Sequence, residues 1–275
     1  MPVITLTSDI GLKDYLVGAI KGQLLQLCPG AQVIDISHQV SPFNFPQAAY
    51  LCKAALPHFP SGTCHFILVN LFDSPPDHFL AARHQGNFFI LPDNGLITMI
   101  LDGLPEEVVK LVWKDQGPKD TIQIIRQFGK AAADLQQGNP LSGLGVPATA
   151  IVVRNNLIPT ISTNWMEGQV IYVDNFENVV TNITREQFEE QRKGRGFRIF
   201  VMRNEYITEI SGNYPDVKES DKLALFNTAG YLEIAINKGN AAGLFGLQPS
   251  TRERTQKDDF FQNRLFYQTV RIEFE

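Results

Sequence analysis

Apolar and polar positions alternate from the start of the chain. In "VITLTS", Val3, Thr5 and Thr7 alternate with Ile4, Leu6 and Ser8, the two-residue period of a strand. From Asp14 to Cys28 the period lengthens. Leu16, Ile20, Leu24 and Leu27 recur at spacings of four, four and three, which is one face of a helix. Gly18 and Gly22 lie four apart on that helix, a spacing that predicts close packing on a sheet. "PGA" then ends it, as proline and glycine do. "QVIDIS" reads as a second strand, and "PQAAYLCKAALPHF" as a second helix opened by Pro46 and closed by Pro57. "CHFILVNLF" is a further strand. "NFFILPDNGLITMIL" is another, turning at Pro92–Gly95 into a short helix. This rhythm predicts a mostly parallel sheet covered by helices.

Around residues 155–167 the rhythm changes, and "NNLIPTISTNWMEG" has the look of a connector. Short strands follow: "QVIYVDNF", "FRIFVMR", "KLALFN", "YLEIAIN" and "QTVRIEFE", with one helix, "TREQFEEQRK", among them. Closely spaced strands with turn signals predict a small barrel or sandwich. The expected architecture is an α/β N-terminal domain with a mostly parallel sheet over residues 1–155 and a linker over 156–167. A smaller C-terminal all-β, barrel-like domain follows over 168–275. "QPSTRERTQKDDFFQNR" reads as a polar surface excursion before the last strand.

Composition narrows the function. The 275 residues are 44% hydrophobic and 19% charged, an ordinary globular balance. A net charge of −5 and a pI near 5.6 argue against non-specific nucleic-acid binding, which needs a basic surface. No apolar run reaches the ~20 residues of a membrane span. The amino terminus enters a strand without a basic region and apolar signal core, so the chain reads as cytoplasmic. Cys28, Cys52 and Cys64 form no metal clip or redox pair and read as buried thiols. His38, His58, His65, His78 and His84 form no HExxH pair, so no zinc site is expected.

Polar residues recur at strand ends. Asp9, in "SDIG", is placed to accept hydrogen bonds from ligand hydroxyls, or to form a turn before Gly11. Asp14 begins the helix and serves as an N-cap, a role compatible with holding an ammonium. Phe43 and Phe45 precede the second helix, where an aromatic stacks on a sugar or base or packs in the core. "PDNG" at 92–95 is first a turn. Asp174 and Asn178, in "VDNFENVVTNI", follow a strand, and Thr228–Gly230 forms a hairpin-like turn.

Taken in order, these stretches resemble the S-adenosyl-L-methionine hydroxide adenosyltransferase family, relatives of the fluorinase and chlorinase enzymes. Six collinear blocks carry the resemblance: "TSDIGLKDYLVGAIKG", "VIDISHQVSPFNFPQAAYL", "FPSGTCHFILV", "FILPDNGLIT", "VIYVDNFENVVTNI" and "GYLEIAINKGNAA". The resemblance implies a homotrimer with the ligand between the first domain of one subunit and the second domain of its neighbour. It implies S-adenosyl-L-methionine as substrate or ligand, without a further cofactor. In that frame Asp9 matches the acid on the ribose hydroxyls, Asp14 the acid at the methionine end, and Phe43 an aromatic against the sugar. Asp174 matches the acid for the methionine ammonium, and Asn178 the amide on the adenine edge. Thr228 matches a hydroxyl facing the methionine moiety, and the backbone at Ile236 and Lys238 lies along the adenine. Carboxylates suit this ligand, since an acid accepts two bonds from a diol and pairs with an ammonium.

The family hydrolyses its ligand to adenosine and methionine, with water attacking the ribose C5′. An Asp–Arg–His set prepares the water. Here Asn70 stands at the Asp position, Asp77 at the Arg position, in "VNLFDSPPDHF", and Gln123 at the His position. Asn and Gln take no proton near neutral pH, and Asp for Arg reverses a charge. Asp73, His78 and Glu177 are the candidates to replace the missing groups, His78 being the one with an ordinary pKa near neutrality. Leu16 replaces a small hydroxyl residue of the halogenating relatives, and Glu177 replaces a glycine. Two readings follow: a hydrolase with altered water activation, or a protein that holds the adenosyl ligand without turnover. Halide transfer is disfavoured by the acids Asp73 and Asp77. Flavodoxin-like redox binding is disfavoured because the chain has no glycine-rich phosphate loop.

Overall fold

A computed structural model describes residues 2–72, 79–113, 119–202, 205–247 and 268–275. The chain divides into two compact units, Met1–Asn156 and Leu157–Glu275. Of residues 156–167, expected to be a linker, Asn156 closes the first unit and 157–167 belong to the second and carry its first strand.

The first unit is built from β1 (Val3–Ser8), α1 (Leu16–Leu27), β2 (Gln32–Ser37), α2 (Phe45–Ala55), β3 (Cys64–Leu68), β4 (Phe79–His84) and β5 (Asn87–Pro92). It continues with α3 (Leu96–Leu101), β6 (Glu107–Leu111), α4 (Thr121–Gln136) and β7 (Gly145–Pro147). The strand order is β2-β1-β3-β5-β4-β6-β7. Strands β2, β1, β3 and β5 pair in parallel, and β4, β6 and β7 pair antiparallel.

Side-chain alternation builds two cores. Ile4, Leu6, Phe66, Leu68, Phe79, Ala81 and Ile90 face α1 and α4, where they meet Ile20, Leu24, Ile124, Phe128 and Ala132. Phe128 packs edge-on to both Phe66 and Phe79, at 5.6 and 5.4 Å between ring centroids. Ile67, Val69, Leu80, Ala82, Phe89 and Leu91 face α2 and α3 on the other side. The close helix approach falls at Gly129, where an added Cβ would lie 2.7 Å from Leu27. Gly18 and Gly22 do not provide it, for a Cβ at either meets only open space. Pro57 sits inside a 3-10 turn, Leu56–His58, that extends α2.

The second unit holds β8 (Thr160–Ile161), β9 (Trp165–Val173), β10 (Val179–Thr184), α5 (Arg185–Arg192), β11 (Phe197–Met202) and β12 (Glu205–Ile207). The strands β13 (Lys222–Phe226), β14 (Tyr231–Ile236) and β15 (Thr269–Phe274) complete it. Its antiparallel sheet runs β12-β11-β15-β9-β10-β14-β13 and is nearly closed into a barrel, with Ile210 bridging to Ala224 at the seam. A Thr184–Gln187 capping box starts α5. Its Phe188 plugs the barrel against Phe197, Phe226 and Phe274. The surface excursion expected over "QPSTRERTQKDDFFQNR" lies outside the described residues.

Polar groups are also buried beneath α2. All three cysteines are buried and free. Burial pushes the Cys52 thiol up to about 12, so it stays protonated. His65 is 0% exposed, its Nδ1 lies 2.8 Å from Thr5 Oγ1, and its Nε2 has no partner among the described residues. Burial lowers its pKa to about 4. The folded chain therefore keeps His65 neutral at a pH where an unfolded histidine is already charged. Its contribution is complete above the unfolded pKa of ~6.5 and is lost as pH falls through about 4. Urea unfolding at fixed pH is expected to show stability falling by about 3 kcal/mol between pH 7 and pH 4 from this group. His65→Leu is expected to flatten that part of the profile.

Candidate functional site

In the first unit the carboxyl ends of β1, β3 and β5 converge. Register pairs Ser8 with Leu68, so Asp9 and the Asn70 turn lie side by side. Asn70 donates its backbone N–H to Asp9 Oδ2 at 2.9 Å. Burial raises the Asp9 carboxyl above the usual range, opposed by the Asn70 amide and by its own. One such bond leaves acceptor capacity on a carboxylate. Asn94 ties the end of β5 to the same corner, with Nδ2 donating to the Val69 carbonyl at 3.0 Å. The "PDNG" turn is thus a brace for the residue before Asn70.

Behind Asp9 stands a line of side chains that sequence reasoning missed. Ser8 Oγ is 2.7 Å from His38 Nδ1, His38 Nε2 is 3.1 Å from Asp35, and Asp35 is 2.6 Å from Lys21. Burial opposes ionisation of Asp35, yet Lys21 and His38 together hold its carboxyl below the ordinary value. Ser8 is fully buried, so this is a brace and not a nucleophile set. It fixes the Asp9–Gly11 turn, whose Gly11 N–H reaches the His38 carbonyl at 2.7 Å. The "ISH" triplet after a strand was the available signal.

Asp14 is not the N-cap of α1, a place taken by Tyr15 without a side-chain bond; its Oδ1 accepts the Leu16 N–H at 2.8 Å one residue ahead of that cap, and Asp14 is exposed. Phe45 enters the core under α2 with the Arg154 guanidinium 4.4 Å from its ring centre. Phe43 is 71% exposed. Gln123 lies in the first turn of α4, where its N–H is held by Asp120 at 2.9 Å, and no hydrogen bond joins it to Asn70 among the described residues. Asp73, Asp77 and His78 lie outside the described residues.

In the second unit β9 ends at Val173, and residues 174–178 form a turn that Asp174 organises. Asp174 Oδ1 accepts the N–H groups of Phe176 and Asn178 at 2.9 and 2.8 Å, and its Oδ2 accepts Asn178 Nδ2 at 3.1 Å. The Glu177 carbonyl accepts the Ala242 N–H at 2.9 Å, docking this turn on the "NKGNAA" segment. Thr228 is exposed in the β13–β14 turn, whose Asn227 Oδ1 accepts the N–H groups of Ala229 and Tyr231. The Ile236 carbonyl accepts Gly239 N–H at 2.9 Å, and Lys238 Nζ pairs with Glu219 at 2.9 Å. Glu233, a buried acid on β14, also belongs here, and its "LEIA" setting hid it as an ordinary strand residue.

Backbone strain falls on the same positions. Eight non-glycine residues among those described have left-handed φ, and four of them are Phe43, Asn70, Glu177 and Lys238. For a bulky residue such as Phe43, at φ 61°, this conformation is a true outlier. Strain of this kind concentrates at ligand-binding loops.

The fold and these strand-end loops define a two-unit protein with polar loops at the carboxyl end of an α/β sheet and on a β-barrel. The family models for the SAM hydroxide adenosyltransferase N-terminal and C-terminal domains match residues 4–145 and 168–254. The chain belongs to the SAM hydroxide adenosyltransferase family. It is 30% identical to the (R)-S-adenosyl-L-methionine hydrolase of Thermus thermophilus, over 88% of this chain and 94% of that one. It is 24% identical to the fluorinase of Actinopolyspora mzabensis, over 93% of this chain and 97% of that one. The crystal structure of an uncharacterized conserved protein from Thermotoga maritima matches it with a TM-score of 0.80 at 25% identity, covering 99% of each chain.

The Asp174 turn is a measurable feature. Asp174→Ala removes all three bonds and is expected to destabilise the second unit by about 1–3 kcal/mol in urea unfolding followed by tryptophan fluorescence. Asp174→Asn keeps an acceptor for the two backbone donors and is expected to cost less than the alanine variant.

Proposed function

We propose that this protein binds S-adenosyl-L-methionine or a related adenosyl ligand, as a cytoplasmic homotrimer with sites shared between neighbouring subunits. Asp9, Asp14 and Phe43 come from one chain, and Asp174, Asn178, Thr228, Ile236 and Lys238 from the next. The observation that carries this reading is Asp9, half-buried at the end of β1 with Oδ2 held by Asn70 and acceptor capacity left for a diol. Membership of the family and the names of the relatives support it.

The family reaction on this ligand balances simply. Water oxygen attacks C5′, the C5′–S bond breaks with its electron pair going to sulfur, methionine leaves as a neutral thioether, and one proton passes to solvent. The sulfonium is already a good leaving group. The protein's tasks are alignment and acceptance of the proton. Asn70 cannot accept it, and its backbone is already committed to Asp9. That favours a second reading within the same site: a holder of the ligand in which hydrolysis is slow. Loss of a general base costs about 10²–10⁴ in rate.

Overnight incubation with S-adenosyl-L-methionine, assayed for adenosine by chromatography and for binding by calorimetry, tests both. Stoichiometric binding is expected, lost in Asp9→Ala, with adenosine release at least about 10² below that of the Thermus thermophilus hydrolase. Because burial raises the Asp9 pKa and the carboxylate form accepts the diol, affinity is expected to fall on acidification at a higher pH than an ordinary aspartate would cause. Absence of binding would overturn the ligand assignment. Release at the rate of that relative would overturn slow turnover.

A further inference from the structure

Asp9 follows the carboxyl end of β1. Near the other end of the parallel strands, where β3 begins, the first unit holds a cavity of about 250 Å³. Lys53 and Leu56, at the end of α2 and just beyond it, form one side, and Ile100 and Leu101 of α3 form another. His65 and Phe89, side by side on β3 and β5, complete the wall together with the β4–β5 hairpin. An apolar cavity of ~150 Å³ already admits benzene, so this one has room for a substituted single ring.

The wall is apolar apart from a few groups, and one of these is unmet. Thr5, opposite His65 on β1, takes its Nδ1 at 2.8 Å, while Phe89, opposite it on β5, belongs to the cavity wall. His65 is fully buried, and its Nε2 has no hydrogen-bond partner among the described residues. His84, on the hairpin side of the wall, also has a buried Nδ1 without a hydrogen bond, the Glu106 carboxylate lying 3.9 Å away.

The kind of ligand follows from these groups. Burial keeps the His65 ring neutral near pH 7, so Nε2 carries either a hydrogen or a lone pair, according to the tautomer that Thr5 selects. A hydroxyl both donates and accepts, and satisfies Nε2 in either tautomer. A carbonyl or an ammonium fits only one of them. Charge at the wall is already matched, because Lys53 Nζ lies 2.6 Å from Asp102 at the end of α3. An anion would have to share that ammonium with Asp102.

We propose that this cavity is a second binding site, for a small one-ring aromatic alcohol whose hydroxyl bonds His65 Nε2 while its ring lies against Phe89, Leu56 and Ile100. The site uses none of the residues of the adenosyl reading and stands without it. A ligand of the same shape lacking the hydroxyl would keep water from Nε2 and put nothing in its place, which costs affinity.

The test is calorimetric titration of the full-length protein with phenol and with toluene, which differ by a hydroxyl against a methyl. Toluene is the more hydrophobic of the two, so a cavity acting through apolar burial alone takes toluene more tightly. Wild type is expected to favour phenol by about tenfold. His65→Leu keeps the wall apolar and removes the nitrogen, and is expected to reverse the order in favour of toluene. If His65→Leu does not fold, Leu101→Trp, at a partly exposed position of the wall, fills the cavity and leaves His65 in place. It is expected to weaken phenol by about tenfold or more. Toluene binding to wild type as tightly as phenol would overturn the proposal, and so would binding of neither. Phenol affinity left unchanged by either variant would overturn it equally, since the phenol would then sit elsewhere.

Discussion

Parallel pairing of β1 with β3 is the constraint from which the rest of the first unit follows. The pairing runs from Ile4 opposite Cys64 to Ser8 opposite Leu68. It sends apolar Ile4, Leu6, Phe66 and Leu68 to one face, and Thr5, Thr7 and His65 to the other. A slip of one residue would exchange those faces and put the threonines and the histidine into the larger core. The same register decides where both strands stop. Beyond their last paired residues the backbone has no neighbouring strand, yet its polar groups still need partners. Asp9 takes the Asn70 N–H, Asn94 takes the Val69 carbonyl, and His38 takes the Gly11 N–H through its carbonyl. The polar corner is therefore how the sheet ends, before it is anything else.

Two acids, one in each unit, use their oxygens differently. Asp174 accepts three bonds from its own turn, so its first role is to hold residues 174–178 in shape. Asp9 accepts one bond from another strand's turn and sits where burial already disfavours its charge. A donor-rich ligand would relieve that penalty at Asp9. At Asp174 it would have to share a carboxylate that the turn already occupies. The physical demand for a ligand is thus greater at β1 than in the barrel unit.

How much of this was legible in the sequence depended on whether local pattern or distant contact decided the outcome. β1, α1 and β2 were legible because periodicity alone fixes them, and α5 because its Thr184–Gln187 cap lies within the helix itself. β4, β6 and β10 were not. "FLAARH" and "EVVKL" are short apolar runs whose strand character comes from pairing with β5 and with each other. "VVTNIT" was hidden behind the Asp174 turn. The glycine spacing in α1 pointed to close packing on a sheet, yet Gly18 and Gly22 meet only open space; the close approach is made by Gly129 of α4 against Leu27, more than a hundred residues away along the chain. Asp9, Asn70, Asp174 and Asn178 were named by motif, but their bonds were not. The braces behind them, His38, Asn94 and Glu233, act through partners far along the chain, which "ISH", "PDNG" and "LEIA" do not disclose by themselves.

At Asn70 the backbone and the side chain do separate work. The position needs a residue that tolerates φ near 54°, and Asn and Asp are the non-glycine types that do so most readily. What it supplies to Asp9 is a backbone N–H, which any residue except proline provides. Exchange of the acid that the family resemblance implies here for its amide therefore leaves the turn and the Asp9 contact intact, while a group able to accept a proton disappears. The Asn70 amide nitrogen is buried without a partner among the described residues. The Asp9 contact and any side-chain chemistry are thus separable at this corner: the first rests on the backbone of residue 70, and the Asn70 side chain takes no part in it.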